Sequence, residues 1–135
     1  MVGVTHRAYE GDADFRGVRD FLVRTYSAFG WMYNWGQERW DIQRFGINNE
    51  QELAGARFWE DYVHLWEAGG DIVGVVHPEE GGDLWLEIDP GYRDLEDEMV
   101  AWGEANRSPA SQPGQPLVTY VAVGDVHREQ VLTRR

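Results

Sequence analysis

Apolar and polar positions along this chain follow two periods, and the switches between them lay out its elements. Thr5–Glu10 alternates weakly and predicts a first strand. From Gly11–Asp12 the period lengthens: Phe15, Val18, Leu22 and Tyr26 recur every three to four residues, the apolar stripe of a helix that Phe29-Gly30-Trp31 ends. Asp12 and Asp14 suit its N-terminus, as caps and as anions near the positive end of the helix dipole. Asn34-Trp35-Gly36-Gln37 has the spacing of a capping box for a second helix running to about Phe45. Gly46–Gly55 is polar and is expected to be a loop. Trp59–Glu67 then alternates, with Tyr62, His64 and Trp66 on one side and Val63 and Leu65 on the other. Ala68-Gly69-Gly70-Asp71 signals a turn, and Ile72–His77 completes a hairpin. After a second turn, Pro78–Asp83, comes a third strand of the meander, Leu84–Asp89.

A helix over Asp94–Asn106 places Leu95, Met99 and Trp102 on one face. Ser108–Pro116 is a loop rich in Pro, Gly and Ser, too short for a domain linker. Leu117–Val123 is strongly β-forming, and Asp125 is placed to cap a last helix over His127–Arg135. The order β-α-α-β-β-β-α-β-α predicts one α/β domain over residues 1–135. Its mixed sheet has antiparallel central strands leading into a parallel β-α-β crossover, with helices on both faces. Leu86, Ile88, Val121 and Val123 are the expected core of its C-terminal half. Leu117–Val123 is expected to be an edge lacking part of its pairing, which favours self-association, possible as a homodimer.

Composition narrows the function. Aromatic residues make up 13% of the chain and seven residues are Trp, which excludes disorder. The net charge of −12 argues against nucleic acid, whose phosphates need basic clusters. All twelve basic residues are Arg, as in a high-GC genome or, alternatively, a salt-adapted protein. With no Lys, Schiff-base and P-loop chemistry are excluded; with no Cys, so are disulfides and thiolate chemistry. No apolar run approaches the ~18 residues of a membrane span, and no signal-peptide pattern opens the chain, so a cytoplasmic location is expected.

The segment Leu84–Trp102, L-W-L-E-I-D-P-G-Y-R-D-L-E-D-E-M-V-A-W, carries the most chemistry. A strand that turns through Pro90–Gly91 into a helix N-terminus is an architecture suited to phosphate, because free N–H groups point outward there. Here that place holds Asp94, Glu96, Asp97 and Glu98, which read either as caps and a solvated helix face or as an obstacle to an anion. Asp94 with Asp97 is a plausible capping pair. The spacing of an EF-hand is absent, and His6, His64, His77 and His127 form no zinc motif, so no metal is expected. His64 is the candidate general base, given a carboxylate such as Glu87 on a neighbouring strand; a packed histidine is the plainer alternative. The Trp-rich stretch Trp31–Trp40 reads as core packing or as an aromatic wall for a cationic ligand.

Element order and the residues Pro90-Gly91-Tyr92-Arg93 together resemble the GNAT superfamily of N-acetyltransferases. That family binds acetyl-CoA in a splay between its fourth and fifth strands, and its motif is P-x-Y-R/Q-G-x-G-x-G/A. The resemblance implies that Leu86, Ile88, Tyr92, Arg93 and Asp94 stand at cofactor-binding positions. The motif's glycines, which let backbone N–H groups approach the CoA pyrophosphate, are replaced by Asp94-Leu95-Glu96-Asp97-Glu98. With the family's Gly placed directly after Arg135, the resemblance sets its Tyr general acid at Leu132. Strands usual after this helix would begin where the chain stops, at Arg135. The segment with Trp35-x-x-x-Arg39-Trp40 is similar to the degenerate N-terminal copies of tandem GNAT proteins. The expectation is therefore a non-catalytic N-terminal domain, with no cofactor of its own. It would support a C-terminal catalytic domain that moves acetyl from acetyl-CoA to an amine. A weakly active acyl-CoA N-acyltransferase and a small cationic-ligand binding module are the alternatives.

Overall fold

The computed structural model describes residues 3–29, 33–45, 58–79, 82–107 and 114–135. Its elements follow the predicted order. They are β1 (Val4–Ala8), α1 (Asp12–Phe29), α2 (Gln37–Phe45), β2 (His64–Ala68), β3 (Asp71–His77), β4 (Asp83–Ile88), α3 (Glu96–Ala105), β5 (Val118–Thr119) and α4 (Val126–Thr133). The sheet runs β1-β2-β3-β4-β5; each of the first four strands is antiparallel to its neighbour and β5 lies parallel to β4.

Each face of the sheet carries its own core. On one, Phe15, Val18 and Leu22 of α1 and Trp40 of α2 meet Val63, Leu65 and Val75. On the other, Met99 and Val100 of α3 and Val131 of α4 meet Trp66, Val76, Leu86 and Ile88. Leu95 and Trp102 pack beside Met99, as their spacing predicts. The approach of α3 to β4 is close: a Cβ on Gly103 would stand 2.7 Å from Leu84 side-chain carbons, so this position admits only glycine without rearrangement.

Local signals explain several boundaries. Asp14 holds the start of α1 by accepting from the Glu10 amide at 2.7 Å and from both terminal nitrogens of Arg7. Those bonds hold its carboxyl below the usual range, since Arg7 and the amide favour the charged form. Asp125 caps α4 by accepting from the Arg128 amide.

Other expectations are corrected. Residues 58–62 form a 3-10 turn, so β2 is shorter than the alternation implied. Tyr26 leaves the apolar stripe of α1 and is 44% exposed, while Phe21 and Thr25 are buried. Pro90–Leu95 is a 3-10 segment capped by Asp89, and α3 begins only at Glu96; Leu95, not Asp94, is its N-cap residue, with no side-chain cap bond. Leu86 and Ile88 are buried as expected, but Val121 is 41% and Val123 93% exposed, because β5 pairs over two residues only. The loops expected over 46–55 and most of 108–116, and Trp31 with them, lie outside the described residues.

Candidate functional site

β4 pairs with β3 from Trp85 to Ile88, but with β5 only at Asp83 and Leu84. Past that point the two strands part, and a cleft of about 530 Å³ opens between them. Trp85 and Leu86 line it from β4, Tyr120 and Val121 from the chain after β5, and Tyr33 and Trp35 from the segment before α2. Trp85 stacks on Tyr120 with centroids 4.0 Å apart, closing the lower wall.

The free edge of β4 along this cleft is occupied by the chain's own side chains. Asn34 pairs with both peptide groups of Ile88: its Nδ2 donates to the Ile88 carbonyl at 2.9 Å, and its Oδ1 accepts from the Ile88 N–H at 2.9 Å. The same Nδ2 donates to Thr25 Oγ1 at 2.8 Å. Asn34 thus acts as one more peptide of a neighbouring strand. It does not cap α2, as the spacing suggested. Arg128 Nη1 donates to the Leu86 carbonyl at 3.3 Å.

Beside this edge, the 3-10 segment and α4 form a buried ionic cluster. Glu96, fully buried, accepts from Arg93 Nε at 2.6 Å and from Arg128 Nε at 2.5 Å. Arg93 Nη2 also donates to both oxygens of Asp125, at 2.7 and 2.9 Å. Burial works against the Arg93 charge, but its bonds to Glu96 and Asp125 more than offset this and hold its pKa above the ordinary value. Two more acids of the run are partnered: Asp97 by Arg134 and Arg135, and Glu98 by the Trp66 indole at 2.5 Å. Asp94 is exposed, and Tyr92 is half-buried against the α3 core.

The proposed partnership of His64 with Glu87 is not formed. His64 lies in a row with Val76 and Leu86, facing α3, whereas Glu87 lies in the row of Leu65 and Val75, facing α1 and α2. His64 stacks on Trp102 at 4.3 Å and its Nε2 lies 2.8 Å from His6 Nδ1. Burial, then the neighbouring His6, pulls its pKa down to about 4. Glu87 instead meets His77 Nε2 at 3.1 Å and accepts from the Trp35 amide at 2.9 Å. Both side chains are buried. The sequence signal for that pair was a histidine and an acid on adjacent strands, the same signal that pointed to His64.

The aromatic stretch divides. Trp40 is fully buried and donates its indole N–H to the Phe15 carbonyl at 3.0 Å. Trp35 borders the cleft, and the slot between Trp35 and Trp85 holds the Arg39 guanidinium, 4.2 and 4.4 Å from the ring centroids. Arg39 is paired with both oxygens of Glu79. Among the described residues no group of three or more His, Asp or Glu side chains is placed to hold a metal, and no helix is long and apolar enough to cross a membrane.

No protein-family model matches the sequence, and no curated protein matches it. Among solved structures, the chain is similar to the diaminobutyrate acetyltransferase EctA from Paenibacillus lautus, determined with L-2,4-diaminobutyric acid and coenzyme A. The TM-score is 0.61 at 17% sequence identity, covering 99% of this chain and 75% of that one. The mixed sheet with helices on both faces is thus a GNAT-like fold.

Proposed function

We propose that this domain is a non-catalytic member of the GNAT-like fold that supports an acetyl-CoA-dependent amine acetyltransferase domain beside it. The observation that carries the reading is the closed edge of β4. A cofactor arm lying along that edge would need the Ile88 peptide groups and the Leu86 carbonyl, and these are bonded to Asn34 and Arg128.

The residues present also fit a diphosphate poorly. The Gly91 amide is bonded to Asp89 Oδ1, the Tyr92 amide to the Asp89 carbonyl and the Glu96 amide to the Arg93 carbonyl, so these three N–H groups of the turn are spent locally. Arg93 and Arg128 are neutralised by Glu96 and Asp125. Breaking such buried pairs to admit a new anion costs about 3–5 kcal/mol, a large part of the about 8 kcal/mol behind a micromolar affinity. Leu132, which the resemblance sets at the family's proton-donor position, packs against the α3 core. For the supporting role, Val118 in β5 and Val123 beyond it expose apolar side chains that a neighbouring domain could cover.

Calorimetric titration with acetyl-CoA and with CoA, at low and high salt, is the test. No saturable heat is expected in either. Micromolar binding at low salt would overturn the non-catalytic reading. The supporting role is tested in the parent protein, by whether removal of residues 1–135 lowers the activity of the acetyltransferase domain.

A further inference from the structure

A pair of histidines joins the edge strand β1 to β2. In their register Ala8 faces His64 and His6 faces Trp66, so His6 and His64 are diagonal neighbours on one face of the sheet. His6 Nδ1 and His64 Nε2 lie 2.8 Å apart, and the ring centroids 5.0 Å apart. Aromatic rings hold both in place: His64 stacks on Trp102 at 4.3 Å and His6 on Trp66 at 5.6 Å. The other two histidines are committed elsewhere, His77 to Glu87 and the Pro78 carbonyl, His127 to the Arg93 carbonyl. Among the described residues, His6 and His64 direct their ring nitrogens only at each other.

Two neutral imidazoles that meet nitrogen to nitrogen share one proton. The ring that carries it can hold it on its other nitrogen instead, which leaves two lone pairs facing one small space. On a tetrahedral cation with bonds of about 2.0–2.1 Å, two ligand nitrogens stand about 3.3 Å apart. In neighbouring positions of a tetragonal cation they stand about 2.9 Å apart. The pair therefore needs to open by no more than about half an ångström. His6 is exposed and free to turn, while His64 is buried and fixed by Trp102. Burial keeps the His64 ring uncharged at neutral pH, the form in which imidazole ligates. The net charge of −12 draws cations to the chain, and Glu98 joins the same cluster through the Trp66 indole.

We propose that His6 Nδ1 and His64 Nε2 form a two-histidine site for a borderline divalent cation such as Zn²⁺, with water in the remaining positions and the cation tying β1 to β2. Imidazole nitrogen favours Zn²⁺, Ni²⁺ and Cu²⁺ over the oxygen-seeking Mg²⁺ and Ca²⁺. With two protein ligands the site is open and exchangeable, unlike a closed four-ligand structural zinc. It lies at the opposite edge of the sheet from the β4–β5 cleft, so it stands apart from the acetyl-CoA reading, and it revises the expectation of no metal.

The test titrates Zn²⁺ alone into the chelator-cleared, ¹⁵N-labelled chain at slightly alkaline pH. Calorimetry reads affinity, and NMR of the histidine ring nitrogens reads which rings respond. Saturable binding at sub-millimolar Zn²⁺ is expected, with the His6 and His64 nitrogens shifted and an excess of Mg²⁺ failing to displace the metal. His6→Phe keeps a ring against Trp66 but removes the ligand, and should weaken Zn²⁺ at least tenfold with an unchanged circular dichroism spectrum. His127→Asn, outside the pair, should bind as the wild type does. Zn²⁺ should also raise Tm in the wild type and not in His6→Phe. If His6→Phe fails to fold, the wild-type ring-nitrogen shifts decide. The proposal is overturned by no saturable binding at millimolar Zn²⁺, by unchanged affinity in folded His6→Phe, by shifts confined to His127, or by displacement with Mg²⁺, which would place the metal on carboxylates.

Discussion

Replacing Asn34 by Ala tests the closed β4 edge most directly. The substitution removes three hydrogen bonds: two to the Ile88 peptide groups and one to Thr25 Oγ1. Thr25 loses little, since its hydroxyl still donates to the Phe21 carbonyl at 3.0 Å. Ile88 is different. It is fully buried, so its N–H and its carbonyl would both be left without a partner at a site closed to solvent. At about 1–3 kcal/mol for each orphaned group, the expected loss is about 3–4 kcal/mol. That is a large part of the 5–15 kcal/mol typical of a domain, and corresponds to about 10–15 °C in Tm. Urea denaturation followed by tryptophan fluorescence gives the free energy, and hydrogen exchange at the Ile88 amide reports the site itself. Asn34→Asp keeps the acceptor for the Ile88 N–H but sets a carboxylate against the Ile88 carbonyl, and should cost at least as much. A loss below about 1 kcal/mol in Asn34→Ala, with the Ile88 amide still protected, would refute the argument. It would mean that another group or ordered water seals the edge equally well.

Three further outcomes follow from the same geometry. The His64 pKa falls from 6.5 unfolded to about 4 folded, so between these values the unfolded chain binds more protons; stability is full above about pH 6.5 and declines towards pH 4. Between pH 7 and 5 the wild type should lose about 1–2 kcal/mol more than His64→Phe in urea titrations, and equal losses would contradict the burial of the imidazole. Glu96→Gln should cost about 3 kcal/mol, because it leaves the Arg93 and Arg128 charges short of their common partner; a neutral result in calorimetric melting would show that Asp125 suffices. The short β5, with Val118 and Val123 exposed, should make the isolated domain self-associate at high concentration, and Val123→Arg should reduce this without lowering Tm; sedimentation of a strict monomer would count against it.

The sequence by itself determined the element order, because each element is written in local spacing. The stripe of Phe15, Val18 and Leu22, the alternation of Val63 with His64 and Leu65, and the face shared by Leu95, Met99 and Trp102 all need only their own neighbours. The Asp125 cap was legible for the same reason, since its bond is to the amide three residues on.

The tertiary structure alone decided which groups meet across the fold. Asn34 has a favourable local role as a cap, but a strand edge 54 positions away outbids it, because a buried peptide without a partner is costlier than a frayed helix end. The carboxylate of Glu87 went to His77 rather than His64 because the strand register puts His64 on the opposite face of the sheet, a fact that no spacing within one strand reveals. The acidic run is the exposed helix face its composition suggested at Asp94, Asp97 and Glu98, but the fold buries Glu96 between Arg93 and Arg128 of α4. Val121 and Val123 looked like core because β-forming residues read alike wherever they lie; only the parting of β5 from β4 leaves them in solvent. That same parting opens the cleft beside Trp85 and Leu86, which no spacing along the chain reveals.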